Sequence, residues 1–289
     1  MRIRKQPSPL LFVGNLTKSK KTCKVLFFAF FEKFDLSEIV HNIIKSNIIL
    51  AMLNIIADLH THTLASGHAY GTIREMAKVA SNKGLLAYGH SDHAPGIPGT
   101  CHPFYFACFD EIPKYLYGVR ILGSCEVNIL DDGSLSLEDR FISSLDYAIA
   151  GIHLNCYTDH GKKVNTQNVI KCMKNEKVKL ISHPDSDKIP LDYDSLTDAA
   201  LDYKVALEVN NSSLKNPDSR PNCVENYKKM LELSAKKGVS IIVSSDAHDP
   251  SSVGVFDKAK KLLDDLSFDP SLVVNSSFEA LMSFLSLPF

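Results

Sequence analysis

The 289 residues are enough for one large α/β domain or two small ones, and a composition of 45% hydrophobic and 22% charged residues excludes an intrinsically disordered chain. A formal net charge of -1 excludes a broadly basic surface, and with it extended contact with a nucleic-acid backbone. The seven cysteines are odd in number, scattered and without a CxxC pair, a usage that fits reduced thiols in the cytoplasm and not a disulfide framework.

Residues 1–51 open with basic residues, carry the patch KSKK and the run VLFFAFF (25–31), and continue into LSEIVHNIIKSNIIL with apolar residues at helical spacing. The Phe-rich run is too short to span a bilayer and leads at once into Glu32 and Lys33; no small-residue cleavage site follows it. No membrane partner is expected. This stretch reads as an N-terminal extension without chemistry, and Met52 stands where a working domain of residues 52–289 would begin.

From Met52 onward short apolar runs alternate with polar helical stretches, the pattern of βα units and a parallel sheet. Seven runs predict strands: LNIIAD (53–58), LLAYGH (85–90), VRILGSCEV (119–127), YAIAGIH (147–153), VKLISH (178–183), VALEVN (205–210) and SIIVSSD (240–246). The clearest helices are predicted over 72–84, 166–177 and 221–238, the last with Pro221 in its first turn and Gly238 as its stop.

The polar residues collect at the C-terminal ends of these strands. The first run leads into Asp58, His60 and His62, the second into Asp92 and His93; the third carries Glu126, the fourth ends in His153, the fifth in His183, and the seventh runs into Asp246 and His248. In a parallel α/β barrel that face is where loops distant in sequence converge on one pocket. A single histidine at a strand end is more often a hydrogen-bonded structural residue than a ligand. The spacing of His60 and His62 changes the weighing, because residues two apart on a strand point to the same side and reach one ion together. Imidazole with carboxylate and no thiolate suits Zn, Mn or Fe and disfavours Ca and Mg. With His68 of the first loop, the seven histidines and Glu126 and Asp246 make nine candidate ligands, too many for one ion, so a cluster of two or three with a bridging carboxylate is expected.

The stretches DLHTHTLASGHAY, SDH, CEVNI, AGIH, ISHP, EVNNSS and SSDAH occur in an order and at spacings that resemble the PHP (polymerase and histidinol phosphatase) family, and within it the YcdX-type phosphatases, over residues 54 to about 285. The resemblance implies a distorted seven-stranded (β/α)7 barrel with its metal site at the C-terminal ends of the strands. It implies a trinuclear centre as well. His60, His62, Glu126 and Asp246 would hold the first ion; His68, His93 and His248 the second; His153 and His183, with Glu126 bridging, the third. Zn is the first expectation for all three, with Mn and Fe as alternatives.

Such a cluster supplies hydroxide near neutral pH, because a zinc-bound water has its pKa lowered from 15.7 to about 7. The expected reaction is in-line hydrolysis of a small phosphorylated metabolite, a monoester, by a metal-bridging hydroxide and without a covalent enzyme intermediate. Asp58 and Asp92 are expected to orient imidazoles or manage protons. Arg220 is the expected phosphate clamp. Asn211 and Ser212 are expected to donate hydrogen bonds to substrate, and His102 to line the entrance, whereas His90 is expected to be packed. The alternatives are a PHP-type nuclease acting on phosphodiesters, an amidohydrolase, and a metal-stabilised regulatory module without activity. The natural substrate and any homo-oligomer are left open by these residues.

Overall fold

The computed structural model describes residues 53–288; the expected extension, residues 1–51, lies outside them. Leu53–Phe289 forms one unit. Its strands are β1 (Ala57–Asp58), β2 (Ala87–His90), β3 (Tyr115–Leu116), β4 (Val119–Asn128), β5 (Tyr147–Gly151), β6 (Val178–Ile181), β7 (Ala206–Asn210) and β8 (Ile241–Ser244). Seven of them run parallel in the order β1-β2-β4-β5-β6-β7-β8, and β3 pairs antiparallel with the start of β4. This is the expected seven-stranded barrel, with β3 as an addition.

The barrel is nearly closed, and side chains bridge the seam between β8 and β1. Asn275 donates through Nδ2 to the carbonyls of Ala57 (2.8 Å) and Val243 (2.7 Å) and accepts from the Val243 amide. Above it, Asp58 accepts from the amide of Ser245 (3.1 Å), its hydroxyl and the amide of Gly254 (2.8 Å). A buried backbone edge is costly unless its polar groups find partners, and these two side chains provide them.

Helices pack outside: α1 (Ile73–Asn82), α2 (Asp139–Ile142), α3 (Lys162–Cys172), α4 (Tyr193–Tyr203), α5 (Asn211–Lys215), α6 (Cys223–Lys237), α7 (Asp257–Asp265) and α8 (Phe278–Leu285). Thr72 and Glu75 form a reciprocal capping box at the start of α1, which fixes the predicted helix to within two residues. The helix expected over 166–177 starts earlier, after Gly161, and ends at Cys172. Pro221 precedes α6, whose N-cap is Asn222; Gly238 ends it in the left-handed conformation, as expected. The barrel interior is apolar, with Leu59, Leu122, Ile149, Leu180 and Ile242 packed against Leu281, Met282 and Leu285 of α8. Gly89 is obligatory there, because a Cβ would stand 2.0 Å from the hydroxyl of Tyr147. No helix among the described residues is long and apolar enough to cross a membrane.

Candidate metal centre

The C-terminal ends of the seven parallel strands gather the residues the motifs singled out. Glu126, on β4 and 1% exposed, sits in their midst. Its Oε2 lies 2.9 Å from His93 Nδ1, 3.3 Å from His60 Nε2 and 3.6 Å from His62 Nε2, and its Oε1 lies 3.0 Å from His183 Nε2 and 3.4 Å from His153 Nε2. Asp246 Oδ1 lies 3.2 Å from His62 Nε2, 3.6 Å from His60 Nε2 and 3.5 Å from His248 Nδ1. His68 joins from the first loop, its Nε2 3.2 Å from that of His248. All nine expected ligands are thus brought together.

Three groups have ligand atoms close enough to share an ion: His60, His62 and Glu126; His62, His93 and His248; His93, Glu126 and His153. The first group agrees with the implied first site. In the others His62 and His93 fall between sites, whereas the resemblance gives each to one ion.

Neighbouring acceptors turn the rings. His60 Nδ1 lies 2.7 Å from Glu208 Oε1, His62 Nδ1 3.1 Å from Ser66 Oγ, His153 Nδ1 2.8 Å from Asn128 Oδ1, and His248 Nδ1 3.0 Å from the carbonyl of Asp246. Because each partner accepts, Nδ1 carries the hydrogen and the Nε2 lone pair is left for the centre. His60 Nε2, His62 Nε2, His93 Nδ1 and Glu126 Oε2 are buried without a hydrogen-bond partner. Unpartnered buried polar atoms are costly, and four of them converging from three strands fit metal ions. His183 (φ 30°) and Asp246 (φ 54°) hold left-handed backbone conformations that carry strain outside glycine.

The charges are mutually dependent. Burial disfavours the charged form of Glu126, yet His60, His153 and His93 outweigh it and hold the carboxyl well below its usual range. Burial likewise opposes a charge on His60, and Glu208, Glu126 and Asp246 together raise its pKa well above the ordinary imidazole value. For His62 burial and the adjacent His93 prevail, and its pKa falls well below.

Glu208 is a residue that sequence reasoning missed. Fully buried on β7, it bonds His60 with Oε1 and accepts from the His183 amide (2.7 Å) and Asn210 Nδ2 (3.1 Å) with Oε2. The available signal was a lone acid inside an apolar strand. Gly151 was missed too: a Cβ there would meet Ser182 Oγ at 2.3 Å and Glu126 Oε1 at 2.8 Å.

The geometry moves Asp58 and His102 away from their expected roles and gives the other expected residues definite partners. Asp58 bonds the Ser245 and Gly254 backbone across the seam, so its contacts serve barrel closure and not an imidazole. Asp92 is also fully buried; it accepts from the amide and hydroxyl of Thr63, from Ser66 Oγ (2.7 Å) and from Tyr105 (3.0 Å), and reaches His62 through Ser66. Asn211 accepts from the Lys258 and Ala259 amides at the start of α7 with its carbonyl, which leaves its Nδ2 as the donor. His102 is exposed and caps the 3-10 helix Pro103–Glu111, away from the cleft over the centre. That cleft, of about 350 Å³, is lined by Ser212 and Arg220 as well as by the candidate ligands. Arg220 donates through Nε to Asp185 (2.6 Å) and through Nη2 to the His183 carbonyl (2.6 Å), so part of its guanidinium is already engaged.

No family model matches the chain. A protein of Clostridium novyi (strain NT) named "Probable phosphatase" is 37% identical over 233 residues, 80% of this chain and 94% of its own length. The chain belongs to the PHP-family phosphatases. Accordingly it is a hydrolase of phosphoric esters. The fold is shared with the histidinol phosphate phosphatase of Lactococcus lactis, solved with Zn, L-histidinol and phosphate (TM-score 0.50, 17% identity, 74% of this chain and 95% of that one). It is shared with a chain of Listeria monocytogenes at TM-score 0.52 and 16% identity, covering 69% of this chain and 97% of the other.

Proposed function

We propose that this phosphatase hydrolyses a small phosphate monoester in the cytoplasm, by in-line attack of water at a centre of three divalent ions, with Zn the first choice and Mn or Fe the alternatives. The observation that carries the reading is the convergence of six imidazoles on Glu126 and Asp246, with His68 joining through His248, four of the facing atoms being buried and unpartnered. Ions held there would neutralise phosphate oxygens and lower the pKa of a coordinated water.

The chain's own residues do the rest. Glu208, Ser66, Asn128 and the Asp246 carbonyl fix the rings with Nε2 inward, so little reorganisation is left for the reaction. Arg220, held by Asp185 and the His183 carbonyl, presents its remaining donors to a phosphate in the cleft, which Ser212 also lines. The ester P–O bond breaks, the alcohol leaves with a proton, and inorganic phosphate is the second product.

The test compares p-nitrophenyl phosphate with bis(p-nitrophenyl) phosphate, using protein loaded with Zn or Mn and Asp246→Ala as control. A strong monoester preference lost in the control is expected. A diester preference would transfer the reading to a nuclease, and inactivity with both despite bound metal would favour a regulatory module. Inversion at a chiral phosphorus is the companion expectation; retention would contradict direct attack.

A further inference from the structure

A second cavity of about 250 Å³ lies between the loop after β5 and the loop after β6. It shares His153, His183, Ser219 and Arg220 with the cleft over the metal centre, so one molecule can occupy both. The remainder of its wall is more aliphatic than polar: Ile129, Ile152, Val169, Ile181, Ile189 and Leu191, with Leu154 60% exposed at the rim, stand beside Asn155, Ser182 and Ser186. For scale, an apolar cavity of about 150 Å³ accepts benzene.

The charges in this wall are asymmetric. Asp185 is the one acid among its described residues; its side chain is fully buried and one oxygen is bonded to Arg220 at 2.6 Å. The other oxygen of Asp185 is buried without a partner, but the Arg220 guanidinium already balances that carboxylate, and the exposed Lys188 leaves the wall with a net positive charge. A cation entering here would lose hydration against apolar surface and meet a like charge.

We propose that this cavity receives the leaving group of the substrate, and that this group is a ring-sized apolar alcohol without a positive charge. The proposal rests on the monoester reading above. Water adds to phosphorus, the ester P–O bond breaks, and the neutral alcohol departs from the aliphatic pocket while phosphate departs from the cleft. The preference comes from apolar area removed from water on one side and an unbalanced cation on the other.

Three monoesters of primary alcohols isolate the effect from leaving-group chemistry: 2-phenylethyl phosphate, glycerol 3-phosphate and L-histidinol phosphate, assayed with the full chain loaded with Zn or Mn. The expected kcat/KM for 2-phenylethyl phosphate exceeds both others by about tenfold or more. Leu154→Asp and Ile189→Asp, both at positions open to solvent, are expected to cut that preference by about tenfold, chiefly through KM. Circular dichroism checks that both variants are folded. A preference for L-histidinol phosphate, or one that both variants leave unchanged, would overturn the proposal. Calorimetry with 2-phenylethylphosphonate, which has no ester bond to hydrolyse, keeps the two readings apart. If no ester turns over, the phosphatase reading fails, yet phosphonate binding weakened by the variants still upholds the cavity as a ligand site. Phosphonate binding equal in wild type and variants overturns it.

Discussion

Among the described residues, buried imidazole nitrogens without a partner occur in two regions, and the regions have opposite electrostatics. At the metal centre His60 is fully buried, but Glu208, Glu126 and Asp246 surround it and raise its pKa well above the ordinary value. On the outer side of the sheet His90 is 1% exposed, both ring nitrogens lack a partner, and its closest aromatic neighbour is Phe109, edge-on at 4.4 Å. There burial wins and its pKa falls to about 4. An orphaned nitrogen therefore does not identify a ligand by itself. Convergence with carboxylates does, because only then is a cation's charge balanced.

The largest expected effect breaks the first region directly. Glu126→Gln keeps the shape of the side chain and removes the charge that faces five histidines. Monoester hydrolysis should fall by about a thousandfold or more, with loss of bound metal measured by elemental analysis. Full metal content in a folded variant would mean that the carboxylate does not join the ions. A smaller effect is expected one shell out. Glu208→Gln should lower metal affinity by about 10- to 100-fold, because the negative charge beside His60 is gone and the one remaining oxygen cannot accept from both His60 Nδ1 and the His183 amide. Competition with a chelator reads this out without any assay of activity. Gly151→Ala should cost about 1–3 kcal/mol in stability, since the added methyl reaches Glu126 Oε1 and Ser182 Oγ. Denaturant unfolding unchanged from wild type would show that Glu126 yields freely.

Much of this first region was legible because strand ends and polar residues coincide in the chain. The seven parallel strands are almost wholly buried and read as apolar runs, β4 being buried along all ten residues. Two-residue β3 carries no periodicity, and its antiparallel pairing with β4 depends on a turn at Tyr117 and Gly118. The direction a polar side chain faces was harder to read. Asp58 stands two residues before His60, but β1 borders β8 at the closure of the barrel, and that adjacency spans 187 residues of sequence. Glu208 was hidden for the same reason: its partner His60 is 148 residues away, on the far side of the alternation that made VALEVN look like an ordinary buried strand.

His90 sharpens the comparison from the other region, where the smallest effect is expected. In the unfolded chain its imidazole titrates near the ordinary 6.5, whereas in the fold it stays neutral down to about 4. The unfolded state therefore binds more protons between these values, and stability that is complete above 6.5 is lost as the pH falls toward 4. Between pH 7 and pH 5 the loss from this one group is about 2 kcal/mol. His90→Phe retains an aromatic ring against Phe109 and has nothing to protonate, so its urea unfolding should weaken less over that interval, by about the same amount. Both proteins are compared with metal removed, so that protonation of the ligands does not enter the difference. Equal pH dependence in the two would mean that His90 finds a partner for its proton, and the contrast with His60 would then be one of degree.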